Sequence, residues 1–152
     1  MALDVEITRT ELPGSLPNLE LNAGDFKWSS TDSDGGGVVW DRERAGSKYV
    51  DGETLVNRKK ALVLQPARVI VTGANNTDLR TNLDDLIDAF SQFSFQITID
   101  PDNADAGVTS WTWQCECADY STGLLRLERN RLITDVTLSI PRMPDPVSGF
   151  LI

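Results

Sequence analysis

Period-two alternation dominates the chain. Leu3, Val5 and Ile7 alternate with Asp4, Glu6 and Thr8, the spacing of a strand with one apolar face and one wet face. Pro13-Gly14 and Pro17-Asn18 mark an irregular turn region. Leu19 and Leu21, then Phe26 and Trp28, predict short strands on either side of Asn22-Ala23-Gly24-Asp25. The pattern fails from Ser29 to about Lys60, where Asp34-Gly35-Gly36-Gly37 and several charges surround isolated aromatics at Trp40 and Tyr49. Residues 29–61 therefore read as one long loop, and loops of that length inside a domain are usually functional or disordered.

Order returns at Ala61-Leu62-Val63-Leu64 and again from Ala67 to Thr72. A helix start follows: Asn76 or Thr77 can cap the free amides, and Asp78 sits at the positive end of the dipole. Leu79, Leu83, Leu86, Ile87 and Phe90 recur at i, i+4, i+7, i+8 and i+11. That stripe predicts one amphipathic helix over about 77–92, laid against a sheet. Phe93, Phe95, Ile97 and Ile99 then alternate with polar residues up to Asp100, and Asp100-Pro101-Asp102-Asn103 turns the chain. Trp111, Trp113, Cys115 and Cys117 share one face of the next strand. Ser121-Thr122-Gly123 turns again, Leu124 to Leu127 makes a short strand, and Leu132 to Ile140 makes the last, ended by Pro141. About eight strands and one helix imply a mainly β (α+β) fold. The expected form is an antiparallel β-sandwich or half-open barrel with one flanking helix. No internal repeat or domain boundary is visible. Residues 1–152 read as a single domain with a long early loop and an extended C-terminal tail, 141–152.

The length, 152 residues, suits one domain. Histidine is absent, which excludes Ser-His-Asp and Cys-His nucleophile systems and every His-containing metal site. Two cysteines in one strand are badly placed to bridge each other, and Cys115 and Cys117 alone cannot complete a zinc site, so core packing is their expected role. No apolar stretch approaches the roughly 20 residues of a membrane helix. The N-terminus lacks the basic and apolar regions of a signal peptide. Synthesis in a reducing cytoplasm is expected. The net charge is −9, from 14 Lys+Arg against 23 Asp+Glu. Such a surface repels phosphate. Its plain consequence is solubility; its sharper one is a surface that DNA can pass without sticking.

Each candidate for chemistry has a plainer explanation. Asp100 to Asp105 is oxygen-rich, but Ala104 and Asp105 stand where an EF-hand loop needs a ligand and a glycine, so a solvated hairpin tip is expected. Asp32 to Gly37 lacks the lysine of a phosphate-binding loop. Asn75-Asn76-Thr77 fits a glycosylation pattern, and a helix cap explains it better. Trp111 and Trp113 could stack a sugar, but their face reads as core. A carboxylate pair for hydrolysis stands out nowhere. No catalytic residue, cofactor or metal is expected. Arg42, Arg44, Lys48, Arg58, Lys59 and Lys60 form a basic segment in an acidic protein. It is either a solvated loop or an arm seeking an acidic surface, including that of another copy. The chain ends in Phe150, Leu151 and Ile152, an apolar end that must dock on its own core or on a partner.

The order of these parts resembles the tail-tube-like family of long-tailed bacteriophages, particularly the ring domain of distal tail and small minor tail proteins. The likeness is carried by Trp40-Asp41-Arg42-Glu43 and Tyr49-Val50-Asp51-Gly52 in the long loop. It continues in Val69-Ile70-Val71-Thr72-Gly73 leading to the helix from Asp78, the strand Phe93 to Asp100, and the close at Ser139-Ile140-Pro141-Arg142. It spans roughly Val38 to Pro146. It implies a structural, non-enzymatic virion protein whose copies, usually six, form a ring with a channel for DNA. Tail tube, tape-measure and tail-tip proteins are its implied neighbours. The early loop of that family typically reaches toward an adjacent ring or neighbour, so Trp40, Arg42, Tyr49, Arg58, Lys59 and Lys60 are the expected contact residues, joined by the apolar end Phe150, Leu151 and Ile152. Unlike larger distal tail proteins, the chain shows no second domain. The alternative is a monomeric β-sandwich module that binds carbohydrate or a receptor through Trp40 and Tyr49.

Overall fold

A computed structural model of the protein describes residues 3–9, 18–29, 39–47, 50–101 and 110–147. In chain order the elements are β1 (Leu3–Ile7), β2 (Leu19–Glu20), β3 (Phe26–Ser29), β4 (Trp40–Ser47), β5 (Val50–Lys60), β6 (Val63–Gly73), α1 (Asn76–Phe90), β7 (Ser94–Pro101), β8 (Trp111–Glu116), β9 (Asp119–Thr122), β10 (Arg126–Glu128) and β11 (Arg131–Arg142). Nine strands form one antiparallel sheet, ordered β2-β1-β7-β8-β11-β6-β3, with β9 and β10 also paired to β11. The sheet curls into a half-barrel with the helix on its flank, the mainly β architecture that the alternation predicts. Strands β4 and β5 pair only with each other.

The longest ladder joins β6 to β11 without a register break, from Val63 opposite Arg142 to Gly73 opposite Leu132. Val69, Val71, Val136, Leu138 and Ile140 point from it into the core. Val5, Ile7, Phe95, Ile97, Ile99 and Trp113 join them from the other half of the sheet. The helix contributes Leu79, Leu86, Ala89 and Phe90. Phe90 meets Phe95 edge to face, with ring centroids 5.7 Å apart, a geometry that places a positive ring edge on a negative ring face.

Both helix ends are tied down. Asn75 is the N-cap, its Oδ1 accepting from the Asp78 backbone N–H at 2.9 Å, one residue before the expected cap. At the other end the buried Gln92 donates from Nε2 to the carbonyls of Ala89 (2.8 Å) and Thr8 (2.9 Å), which fastens the helix to the end of β1. Near the helix start, Asn82 Nδ2 donates to the Thr72 carbonyl at 2.8 Å and to Asp25 at 3.2 Å. Asp25 also accepts from Arg131 at 2.6 Å. One carboxylate thus links the turn before β3, the helix and the start of β11.

Several expectations are corrected. Residues 29–61 are not one irregular loop: β4 and β5 form a long ribbon, invisible to a hydrophobic pattern because charged and polar residues lie on both faces and its few apolar ones do not alternate. Phe93 does not join the apolar face of β7. It precedes the first ladder pair, Ser94 opposite Glu116, and is 82% exposed. Cys117 likewise lies past the last residue of β8 and is exposed. Pro141 does not end the last strand. It sits where β11 changes partner, between the β9 pairing that stops at Ser139 and the β8 pairing at Arg142, so its missing N–H interrupts neither pairing on that side. The Leu124–Leu127 strand is instead Arg126–Glu128.

At Gly73 the helix returns so closely that an added Cβ would lie 2.4 Å from the Leu79 backbone nitrogen and 2.6 Å from its Cα. Neither atom can step aside without moving the helix. Gly73→Ala is therefore expected to cost about 2 kcal/mol, the scale of core overpacking. Urea denaturation checks this, and an unchanged midpoint would contradict it.

Candidate assembly surfaces

The β4–β5 ribbon leaves the sheet between β3 and β6. At its base the Ala61 N–H donates to the Val39 carbonyl at 2.7 Å, and Lys60 Nζ reaches Asp145 at 2.6 Å. Trp40 lies opposite Lys60, Asp41 opposite Lys59, Arg42 opposite Arg58 and Glu43 opposite Asn57, before a register shift at Glu43/Arg44. Alternation sorts these residues by charge. One face carries Trp40, Arg42, Arg58 and Lys60; the other carries Asp41, Glu43, Asn57 and Lys59. The Arg58 guanidinium lies over the Trp40 ring, 5.0 Å from its centroid, and Arg42 Nη1 donates to the Trp40 carbonyl at 3.4 Å. Two arginines directly opposite each other repel, and neither has a carboxylate partner among the described residues.

The opposite situation occurs at the far edge of the sheet. On the outer face, Glu6 lies opposite Glu20 and Asp4 opposite Asp100. None of the four enters an ion pair among the described residues; Glu6 accepts a hydrogen bond from Asn18 Nδ2 at 2.7 Å. Glu20 is exposed, yet desolvation by its surroundings raises its carboxyl above the ordinary range, helped by the hydrogen bond and charge of Glu6 and the charge of Asp4.

Apolar surface lies between these regions. Leu62, Phe93, Cys117 and Met143 line a groove at the end of the sheet from which the ribbon departs. Leu124, Leu125 and Leu127 are exposed beside β11. Residues 143–147 run back along β8, with Met143 N–H donating to Gln114 (2.9 Å) and Val147 N–H to Thr112 (2.8 Å).

No protein-family model matches the chain, and no curated protein does. Its fold is similar to that of a phage baseplate protein. The structure in question is of the phage P2 baseplate in its activated conformation with Ca; the likeness has a TM-score of 0.61 at 10% identity and covers 98% of this chain. The chain spans 45% of the length of that protein.

The interior offers little room for chemistry. Arg142 is buried, its guanidinium 4.0 Å from the Trp113 ring centroid. Nε donates to Gln65 Oε1 and Nη1 to the Met143 carbonyl, both at 3.2 Å. Desolvation lowers its proton affinity. Burial pushes the Cys115 thiol up to about 12, against the pull of Arg142, so the thiolate a nucleophile needs is scarce near neutrality. The cavity between Trp28, Trp113, Cys115 and Arg142 measures about 20 Å³, room for a water and not for a sugar. Among the described residues, no three Cys, Asp or Glu side chains group as metal ligands, and no helix is long and apolar enough to cross a membrane.

Of the expected contact residues, the structure joins Trp40, Arg42, Arg58 and Lys60 on one ribbon face. Lys59 falls on the other, 3.7 Å from Asp41. Tyr49, Phe150, Leu151 and Ile152 lie outside the described residues, as do Lys48 and the Asp32–Gly37 and Asp102–Asp105 stretches. The acidic edge escapes sequence reading because Glu6 and Glu20 meet only through strand pairing.

The raised Glu20 carboxyl gives a signed prediction. The folded state holds this proton more tightly than the unfolded chain, so ionisation costs stability as pH rises above the ordinary value of 4.5. Glu20→Gln removes that cost. The variant should be more stable than the parent at pH 7, with the gain vanishing well below 4.5. Urea titrations across this range check it; a gain independent of pH would contradict it.

Proposed function

We propose that the protein is a structural, non-enzymatic component of a phage tail or tail tip, and that six copies close into a ring around a channel for DNA. Its place would then be the virion tail, assembled in host cytoplasm against tail tube, tape-measure and tip proteins. The fold likeness to a baseplate protein supports the tail. The observation that carries the assembly is the ribbon. A two-stranded ribbon alone is marginal in water. This one has strands of 8 and 11 residues, pairs with no strand of the main sheet, and leaves even Leu55 and Val56 exposed. Such an element is accounted for by a neighbour on which it docks.

The charge distribution agrees with a DNA channel. Arg42, Arg44, Arg58, Lys59 and Lys60 concentrate cations on the ribbon, leaving the body more acidic. Duplex DNA carries about one charge per 1.7 Å, and an acidic wall does not retain it. In the carbohydrate-module reading, Trp40 could offer a sugar only one face of its ring, since Arg58 lies over the other.

Native mass spectrometry of the full chain, alone and with its tail neighbours, tests this reading. Species at multiples of 16.7 kDa up to six copies are expected. A chain that stays a single copy in both settings would contradict it.

A further inference from the structure

The ribbon and the far sheet edge have the same flaw with opposite sign. Arg42 faces Arg58 across the ribbon. Glu6 faces Glu20, and Asp4 faces Asp100, across the β2–β1–β7 edge. Directly opposed like charges destabilise a sheet, and a folded chain can easily place opposite charges there instead. Elsewhere this protein does so: on the other ribbon face Asp41 stands opposite Lys59, and on the main sheet Asp135 is held from neighbouring strands by both Arg68 and Arg126. Two uncompensated patches of opposite sign on one molecule form a self-complementary pair, one patch meeting a different patch on the next copy. That is the heterologous contact from which rings are built.

We propose that the cationic face of one copy's ribbon docks on the acidic outer face of the β2–β1–β7 edge of a second copy, with Arg42 and Arg58 set against Glu6 and Glu20. The inference rests on the ring reading and names its interface. Lys60 extends the cationic face toward the ribbon base, where Asp145 already holds it. Asp4 and Asp100 extend the acidic face along the same edge. Lys59, Asp41 and Glu43 face away and take no part. Each repulsive pair becomes an attractive set once the copies meet, so monomer repulsion is exchanged for contact between copies.

Sedimentation of the full chain at low salt, across a concentration series, tests this. Glu20→Lys and Arg58→Glu each turn a like-charge pair into an opposite-charge pair within the monomer, Arg58→Glu giving up its contact with Trp40 in exchange, so thermal melts should show a monomer that stays folded in both. Each should nonetheless weaken association roughly tenfold, the scale of one close charge pair. The double variant should regain most of the loss, because the charges are exchanged across the contact. Lys59→Gln, on the opposite ribbon face, should associate like the parent. If the parent associates and the single variants match it, the interface is elsewhere and the ring reading survives. If the single losses are real but the double variant does not recover, the two patches do not meet each other and the proposal is overturned. If the parent never associates, alone or with tail neighbours, the ring reading and the proposal fall together.

Discussion

The unbroken β6–β11 ladder is the constraint on which the other parts depend. Its register places Gly73 opposite Leu132 at one end and Val63 opposite Arg142 at the other. The helix leaves from the first end and can close on the sheet only because Gly73 has no side chain. The ribbon enters at the second end, where the chain also departs past Met143 along β8. A slip of one residue would turn Val69, Val71, Val136 and Leu138 out of the core and Arg68 and Asp135 into it. Burial of the first set and the ion pair of the second fix the same register independently.

Much of the body was legible because burial writes itself into sequence as a period. Val5 and Ile7, Phe95 to Ile99, and Trp113 with Cys115 all lie where alternation puts them. The helix follows its Leu79–Phe90 stripe to within two residues. Errors gather where pairing stops governing direction. Phe93 and Cys117 continue an alternation one step beyond a ladder, and both emerge into solvent. Pro141 misled in the opposite sense, since a proline is harmless at a position where no partner asks for its N–H.

The candidate surfaces were less legible for a different reason. A ribbon with polar residues on both faces has no regular apolar period, so Trp40 to Lys60 reads as a long loop although its backbone is paired along most of the described part. The basic segment was visible as composition, but its division into a face with Arg42 and Arg58 and a face with Lys59 is a property of register. The acidic edge joins residues 14 apart in sequence, Glu6 and Glu20, through β1–β2 pairing. Like-charge pairs of this kind oppose the stability of the isolated chain. Under the proposed assembly, contact between copies relieves both surfaces at once.

Electron microscopy of the native tail complex, at a resolution that traces this chain, bears most directly on that assembly. A closed ring of sister copies, each ribbon lying on its neighbour, is the expected image. A lone copy whose ribbon projects free and which touches no sister chain would contradict it.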